Sequence, residues 1–244
     1  MSKKKIVEGK CSLCGNSGRL SFEHVPPRSA FNDQPILVQN HIHLFENESY
    51  LYKKSSRSNK GFGAYTLCEP CNNKTGEWYA KDFADFAIQA MTHLKAHEGA
   101  HGLHSLQFKI KPLNIIKQIV MMFYSANKGV ILSEDQELVD FVTVKESVKL
   151  PEKYRIYLYY TLSKHKRMNG NLTVRTENGL IANWSEINFQ PFGYIFSIDS
   201  PPPNKFMADI TDFSKFPYDK EIELKINAGY LSISSVFTGQ YDNI

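Results

Sequence analysis

Apolar side chains recur at three- and four-residue spacing across Trp78, Tyr79, Phe83, Phe86, Ala87, Ala90, Met91 and Leu94. That is the period of an α-helix with one buried face. The spacing predicts a helix from about Cys71 to Lys95, ended by Gly99 and Gly102. A second helical pattern, amphipathic over Leu113–Asn127, follows Pro112, a residue that a first helical turn tolerates. Ser133-x-x-Gln136 has the form of a capping box and predicts a further helix to about Val142.

Short apolar and β-branched runs predict strands elsewhere. On the N-terminal side a short strand, a turn with Gly15 and Gly18, and a second strand at Arg19–Glu23 precede a Pro26-Pro27 break. Residues 32–66 read as irregular, with strands at Ile36–Val38 and His43–Phe45. Tyr52–Gly61 has loop composition. Beyond residue 104 strands are expected at Leu106–Lys111, Arg155–Leu162, Leu172–Thr176, Leu180–Trp184, Gly193–Ile198, Glu221–Ile226 and Tyr230–Ser234. Turns are expected at Asn169-Gly170, Asn178-Gly179 and Ala228-Gly229. The order predicts an α+β chain in two parts: residues 1–104, and an α+β domain with a largely antiparallel sheet at 105–244. Pro201-Pro202-Pro203 reads as a surface loop inside the second part.

The composition is that of a folded chain: of 244 residues 42% are apolar and 22% charged. No apolar run reaches the roughly 20 residues that span a bilayer, and Met1-Ser2-Lys3-Lys4-Lys5-Ile6 lacks the apolar stretch of a signal peptide. The expectation is a cytoplasmic protein without a membrane partner. The formal net charge is +4, unevenly placed. Residues 1–112 hold 15 Lys+Arg against 10 Asp+Glu, and the remainder 14 against 15. The excess in the first half points to a polyanionic partner there, or to a merely solvated face.

That half also holds all four cysteines, as Cys11-x-x-Cys14 and Cys68-x-x-Cys71. Paired thiols in a reducing compartment read as metal ligands or redox groups rather than disulfides. Two such turns suit one tetrahedral zinc, closed to further ligands and therefore structural. A zinc there would draw Glu23-His24 towards Asn72. A carboxylate and an amide oxygen are hard ligands for Mg²⁺ or Mn²⁺, and a neutral imidazole beside that ion can take a proton from water. This is a sufficient set for phosphodiester hydrolysis. Each residue also has a plainer reading: His24 as a core histidine, Asn72 as a helix cap.

Cys-x-x-Cys, then Glu-His, then Leu-Cys-x-x-Cys-Asn resembles the zinc-stapled branch of the HNH (ββα-metal) endonucleases, in the endonuclease VII-like form of the motif. The resemblance covers about residues 8–82. It implies Cys11, Cys14, Cys68 and Cys71 as structural zinc ligands, His24 as general base, and Glu23 and Asn72 as ligands of the catalytic ion. Asn59 takes the place of the family's middle Asn. Glu23 stands where Asp is more usual, and the segment between the motif halves is longer than in minimal units. The family implies DNA cleavage leaving 5′-phosphate ends, and a place in bacterial or phage antiviral defence. Phosphate contacts are expected from Arg28, Lys53, Lys54, Arg57, Lys60 and Lys74. The rival readings are a zinc-stapled nucleic-acid-binding module without cleavage, and an RNA- or structure-selective nuclease. Residues 105–244 would serve as a sensor, partner or regulatory domain. His93, His97, His101 and His104 read as a polar helix end rather than a metal site, and Lys164–Arg167 as a basic hairpin tip.

Overall fold

In the computed structural model, which describes residues 6–40, 43, 50–52, 54–96, 102–128, 132–175, 179 and 181–231, the periodicity after Cys68 forms one helical run with an interruption. Helix α1 (Glu69–Thr75) passes through a π-helical turn (Gly76–Ala80) into α2 (Lys81–Ala96). Of the four aromatics expected in the core, Tyr79, Phe83 and Phe86 are buried, whereas Trp78 is half-buried with the Lys74 ammonium 4.6 Å from its ring centroid.

Three sheets accompany this run. The first has the order β1 (Glu8–Lys10), β2 (Ser17–His24), β5 (Gly63–Cys68), all antiparallel. Strand β5 falls in a stretch expected to be irregular. Its residues Gly63-Ala64-Tyr65-Thr66 alternate weakly in polarity, and only pairing with β2 makes them a strand. The second sheet is a ribbon of β3 (Ile36–Gln39) and β4 (Ser55–Ser58). β4 replaces part of the loop expected at Tyr52–Gly61, because an exposed polar segment carries no hydrophobic signature. Most of the strand expected at His43–Phe45 lies outside the described residues.

The third sheet has seven strands: β6 (Gly102–Ile110), β12 (Ile222–Tyr230), β7 (Tyr154–Tyr160), β10 (Phe192–Ile198), β9 (Ile181–Phe189) and β8 (Arg167–Arg175) in that order, with β11 (Ala208–Asp209) beside β7. All pairings are antiparallel except the single Tyr230–Tyr160 contact between β12 and β7. Two of the expected turns are strand interior. Ala228-Gly229 lies within β12, and Asn169-Gly170 within β8, where the register to β9 slips between Asn169 and Leu172. An inserted residue of this kind is a β-bulge. Asn178 lies outside the described residues, but Gly179 has a φ of +83°, as a tight β8–β9 connection requires.

Helix α3 (Pro112–Ala126) departs furthest from the amphipathic expectation. Every residue from Pro112 to Ser125 is buried, because the helix is enclosed by the β2–β5 unit, α2, α4 (Gln136–Thr143) and the large sheet. Three of its polar residues have partners on neighbouring elements. Ser125 Oγ lies 2.8 Å from Thr66 Oγ1 on β5, Asn114 Nδ2 donates to Asp82 at 2.7 Å, and the Lys117 ammonium donates to the carbonyls of Val144 and Lys145 just past α4. The cap of α4 is Asp135, accepting from the Leu138 N–H, rather than Ser133. The chain portions expected to either side of residue 104 share one contiguous apolar cluster, which runs from Cys11, Val25 and Leu67 through Phe83 and Ile116 to Phe192 and Ala228.

Among the described residues no helix is long and apolar enough to cross a membrane. Lys164–Arg167 does not form a hairpin tip, since β7 and β8 are not neighbours in the sheet. Arg167 is instead half-buried against Glu186, with N–O at 3.0 Å.

Candidate metal centre and active site

The turn between β1 and β2 carries Cys11 and Cys14. Its backbone is closed by Cys11 N–H to Asn16 O (2.9 Å) and Gly15 N–H to Cys11 O (3.0 Å). Cys68 ends β5 and Cys71 lies in the first turn of α1. The strand pairing Leu20–Cys68 and the Ser12 N–H to Thr66 O bond (2.8 Å) bring the two turns face to face. All four sulfurs lie within 4.8 Å of one another, none in a disulfide. Cys14 Sγ and Cys68 Sγ are 3.8 Å apart. A tetrahedron with metal–sulfur bonds of about 2.3 Å has an edge of about 3.8 Å, whereas a disulfide needs about 2.05 Å. The donor set and its dimensions fit a zinc ion.

The thiols are electrostatically unequal. A hydrogen bond from Cys71, with backbone N–H groups of the turn, pulls Cys11 down to about 4 against its burial. The Cys68 N–H donates to Cys11 Sγ at 3.3 Å. Proximity to Cys11 and then burial push Cys71 up, and burial raises Cys14. Four sulfurs at this separation cannot all ionise without a cation among them.

Strand β2 ends in Glu23 and His24, paired with Ala64 and Gly63 of β5. Just before them the register slips between Ser21 and Phe22. Phe22 and His24 share one face of the strand, with ring centroids 5.0 Å apart, and Tyr65 stands 5.3 Å from Phe22. Glu23 turns the other way and is only 7% exposed. Burial pushes its carboxyl up to about 8, and no hydrogen bond or ion pair holds it among the described residues. His24 is displaced in the opposite direction. Burial and the cations Arg28 and Lys60 lower its pKa, opposed by a hydrogen bond to the Lys60 backbone. Its imidazole is therefore displaced towards the neutral form.

Asn72 is not a helix cap, because α1 begins three residues earlier after Cys68. Its Nδ2 donates to Ser21 Oγ (3.0 Å) and Phe22 O (3.3 Å), tying α1 to β2 within two residues of Glu23. The carbonyl oxygen of the same amide takes no hydrogen bond among the described residues. A partnerless buried carboxyl and a free amide oxygen on adjoining stretches of chain are a donor pair of the kind a hard divalent cation takes. A cleft of ≈ 230 Å³ nearby is bordered by Arg19, Leu20, Ser21, Phe22, Lys60, Tyr65, Glu69 and Asn73, and by none of Glu23, His24 and Asn72.

The remaining expected residues are placed unevenly. Arg28 is exposed yet close enough to act on His24. Lys60 lies over the rings of Tyr65 (4.8 Å) and Phe22 (5.3 Å). Lys54 and Arg57 are exposed on and beside β4, and exposed Lys74 points its ammonium to Trp78. Lys53, His97 and His101 lie outside the described residues. His93 Nε2 is 3.2 Å from Gln107 O, a strand carbonyl rather than a metal. Asn59 sits in the turn after β4, where its Oδ1 accepts from Arg57 Nε at 2.9 Å.

The asparagine that organises this corner is Asn32, which sequence reading did not single out. It is 1% exposed. Its Nδ2 donates to Pro26 O (2.7 Å) and Phe62 O (2.6 Å), and its Oδ1 accepts from the Phe62 N–H (2.7 Å). Those bonds clamp the turn before β5, which carries Lys60, onto the segment after His24. Gly61 at φ +79° makes room, since a Cβ there would sit 2.6 Å from Asn32 Oδ1. Asn32-Asp33 reads locally as an ordinary turn. No family model matches the chain, and no curated protein or solved structure matches it.

Proposed function

We propose that the protein is a metal-dependent endonuclease of the HNH (ββα-metal) type acting on DNA. The observation that carries this reading is one arrangement: an antiparallel β2–β5 pair leading into α1, brought together by four clustered cysteines, with His24 and a buried Glu23 on opposite faces of the end of β2 and Asn72 bonded to Ser21 and Phe22 just before them. Glu23 is 7% exposed and has no protein partner among the described residues, and a cation is the partner this reading gives it.

His24 holds the base position, and its lowered pKa keeps a ring nitrogen available to take a proton from water. Arg28 and Lys60 hold that pKa down and supply positive charge for a scissile phosphate. Glu23 and Asn72 would hold Mg²⁺ or Mn²⁺. When bound, that ion supplies charge stabilisation for the phosphate and the departing oxygen. Zn²⁺ in the cysteine cluster serves the fold alone, since four thiolates leave it no open position.

The test is incubation of the full chain with plasmid DNA and Mg²⁺ or Mn²⁺, with and without EDTA. The expected result is divalent-dependent cleavage that His24→Ala lowers by at least ~100-fold, with zinc content and melting temperature unchanged. Cleavage by His24→Ala at the wild-type rate would remove His24 from the mechanism. Absence of cleavage of any DNA or RNA by the wild-type chain would overturn the nuclease reading.

A further inference from the structure

The β3–β4 ribbon has no role in the site described above, yet it springs from the site's rim. β3 follows the turn that starts at Val25, and β4 leads into the Asn59–Phe62 turn. Asn32 pins both roots together. We propose that this ribbon enters the major groove of duplex DNA and so sets the duplex across the His24 face of β2. The proposal rests on the nuclease reading and names the form of nucleic acid that the site takes.

Three observations carry it. Among the described residues the ribbon pairs with neither of the other sheets, and Leu37 and Val38, on opposite faces of it, are 75% and 38% exposed. An isolated two-stranded ribbon bearing exposed aliphatics is marginal in water, so such a surface is suited to contact with something else. The positive charge lies on and beside β4: Lys54, Arg57 and Lys60 with no Asp or Glu from residue 54 to 68, whereas the segment joining β3 to β4 carries Glu46 and Glu48 with Lys53. That positive charge complements phosphate and disfavours a basic or purely apolar protein partner. Finally, the cross-strand register puts Leu37 opposite Arg57 and Gln39 opposite Ser55, and cross-strand partners share a face.

That face thus presents Arg57, Gln39 and Ser55 with an aliphatic Leu37 between them. Arg57 uses Nε on Asn59 Oδ1, which orients the guanidinium and leaves both terminal amino groups for another partner. This is the chemistry of base-edge recognition: Arg forks onto guanine, Gln onto adenine, and an aliphatic group meets the thymine methyl. The dimensions agree, since a ribbon of four residue pairs is about 13 Å long and the B-form major groove, about 12 Å wide, admits a two-stranded ribbon. The A-form groove of duplex RNA is too deep and narrow for it.

The experiment measures anisotropy of labelled duplex DNA, the matching single strand and the matching duplex RNA. It compares the full chain carrying His24→Ala, so that the probe survives, with the same chain also carrying Gln39→Ala and Arg57→Ala. The added substitutions are exposed, and equal melting temperatures verify the fold. Duplex DNA should bind at least tenfold tighter than either other probe, and the added pair should cost roughly tenfold. Methyl green, which occupies the major groove, should displace the protein, while netropsin in the minor groove should not. Equal binding by both chains, displacement by netropsin alone, tighter binding of single strands or RNA, or no binding at all would each overturn the proposal. Cleavage is scored separately on the chain with His24 intact. Ribbon-dependent binding without cleavage removes the nuclease and keeps the ribbon, whereas cleavage unaffected by Gln39→Ala and Arg57→Ala removes the ribbon and keeps the nuclease.

Discussion

Replacing Glu23 by Gln isolates the electrostatic cost of the candidate cation site. In the metal-free site the carboxyl is moved by burial from an ordinary 4.5 to about 8. At about 1.4 kcal/mol per pH unit that is ~5 kcal/mol between its two protonation states. The sign follows from proton counting. Between pH 4.5 and 8 the unfolded chain has released this proton and the folded chain retains it. Stability conferred by this group is therefore complete below 4.5 and declines as pH rises to about 8. Above pH 8 the folded protein carries a buried, unpaired carboxylate, and the whole ~5 kcal/mol is lost. Gln keeps the shape and has no proton to lose. In zinc-replete buffer without Mg²⁺, Glu23→Gln should match the wild type near pH 5 and exceed it by up to ~5 kcal/mol above pH 8. Adding Mg²⁺ should reverse the order, because a bound cation favours the carboxylate of the wild type and the amide binds it poorly. The assay is urea denaturation followed by circular dichroism from pH 5 to 9, with and without Mg²⁺. Parallel pH profiles for the two chains would refute the reasoning, as would Mg²⁺ stabilisation that survives in Glu23→Gln.

The cysteine cluster should hold about one zinc per chain. Cys68→Ser should lose the metal and unfold the β1–β2–β5 unit, because zinc affinity there is folding energy. Elemental analysis of folded, reduced protein without zinc would contradict this. Asn32→Ala should cost roughly 2–4 kcal/mol in chemical denaturation, since it leaves the Pro26 carbonyl and the Phe62 N–H without the amide, while the Phe62 carbonyl keeps the Val25 N–H. It should also lower cleavage by loosening the Lys60 turn against His24. A loss below about 1 kcal/mol would show that water replaces the amide there.

What could be read from residues alone is what depends on neighbours a few positions apart. The helix after Cys68 follows from apolar spacing, and most strands of the large sheet from short β-branched and aromatic runs. The paired Cys-x-x-Cys spacing indicates a four-sulfur site because two ligands on each turn are a local property. Glu23, His24 and Asn72 stood out by adjacency to those cysteines. Tertiary structure decided what depends on distant partners. β5 and β4 are strands only because β2 and β3 supply the other half of their hydrogen bonds, and nothing in Gly63–Cys68 or Ser55–Ser58 declares it. Helix α3 looks amphipathic in sequence but is buried all round, since Asn114, Lys117 and Ser125 find partners on Asp82, the Val144–Lys145 carbonyls and Thr66. Gly229 looks like a turn and lies in a strand, because pairing along the whole of β6 outweighs local preference. Most of all, the sequence places a carboxylate beside an imidazole without saying which is buried. The strand sends them to opposite faces, and burial drives Glu23 up where no partner stands among the described residues.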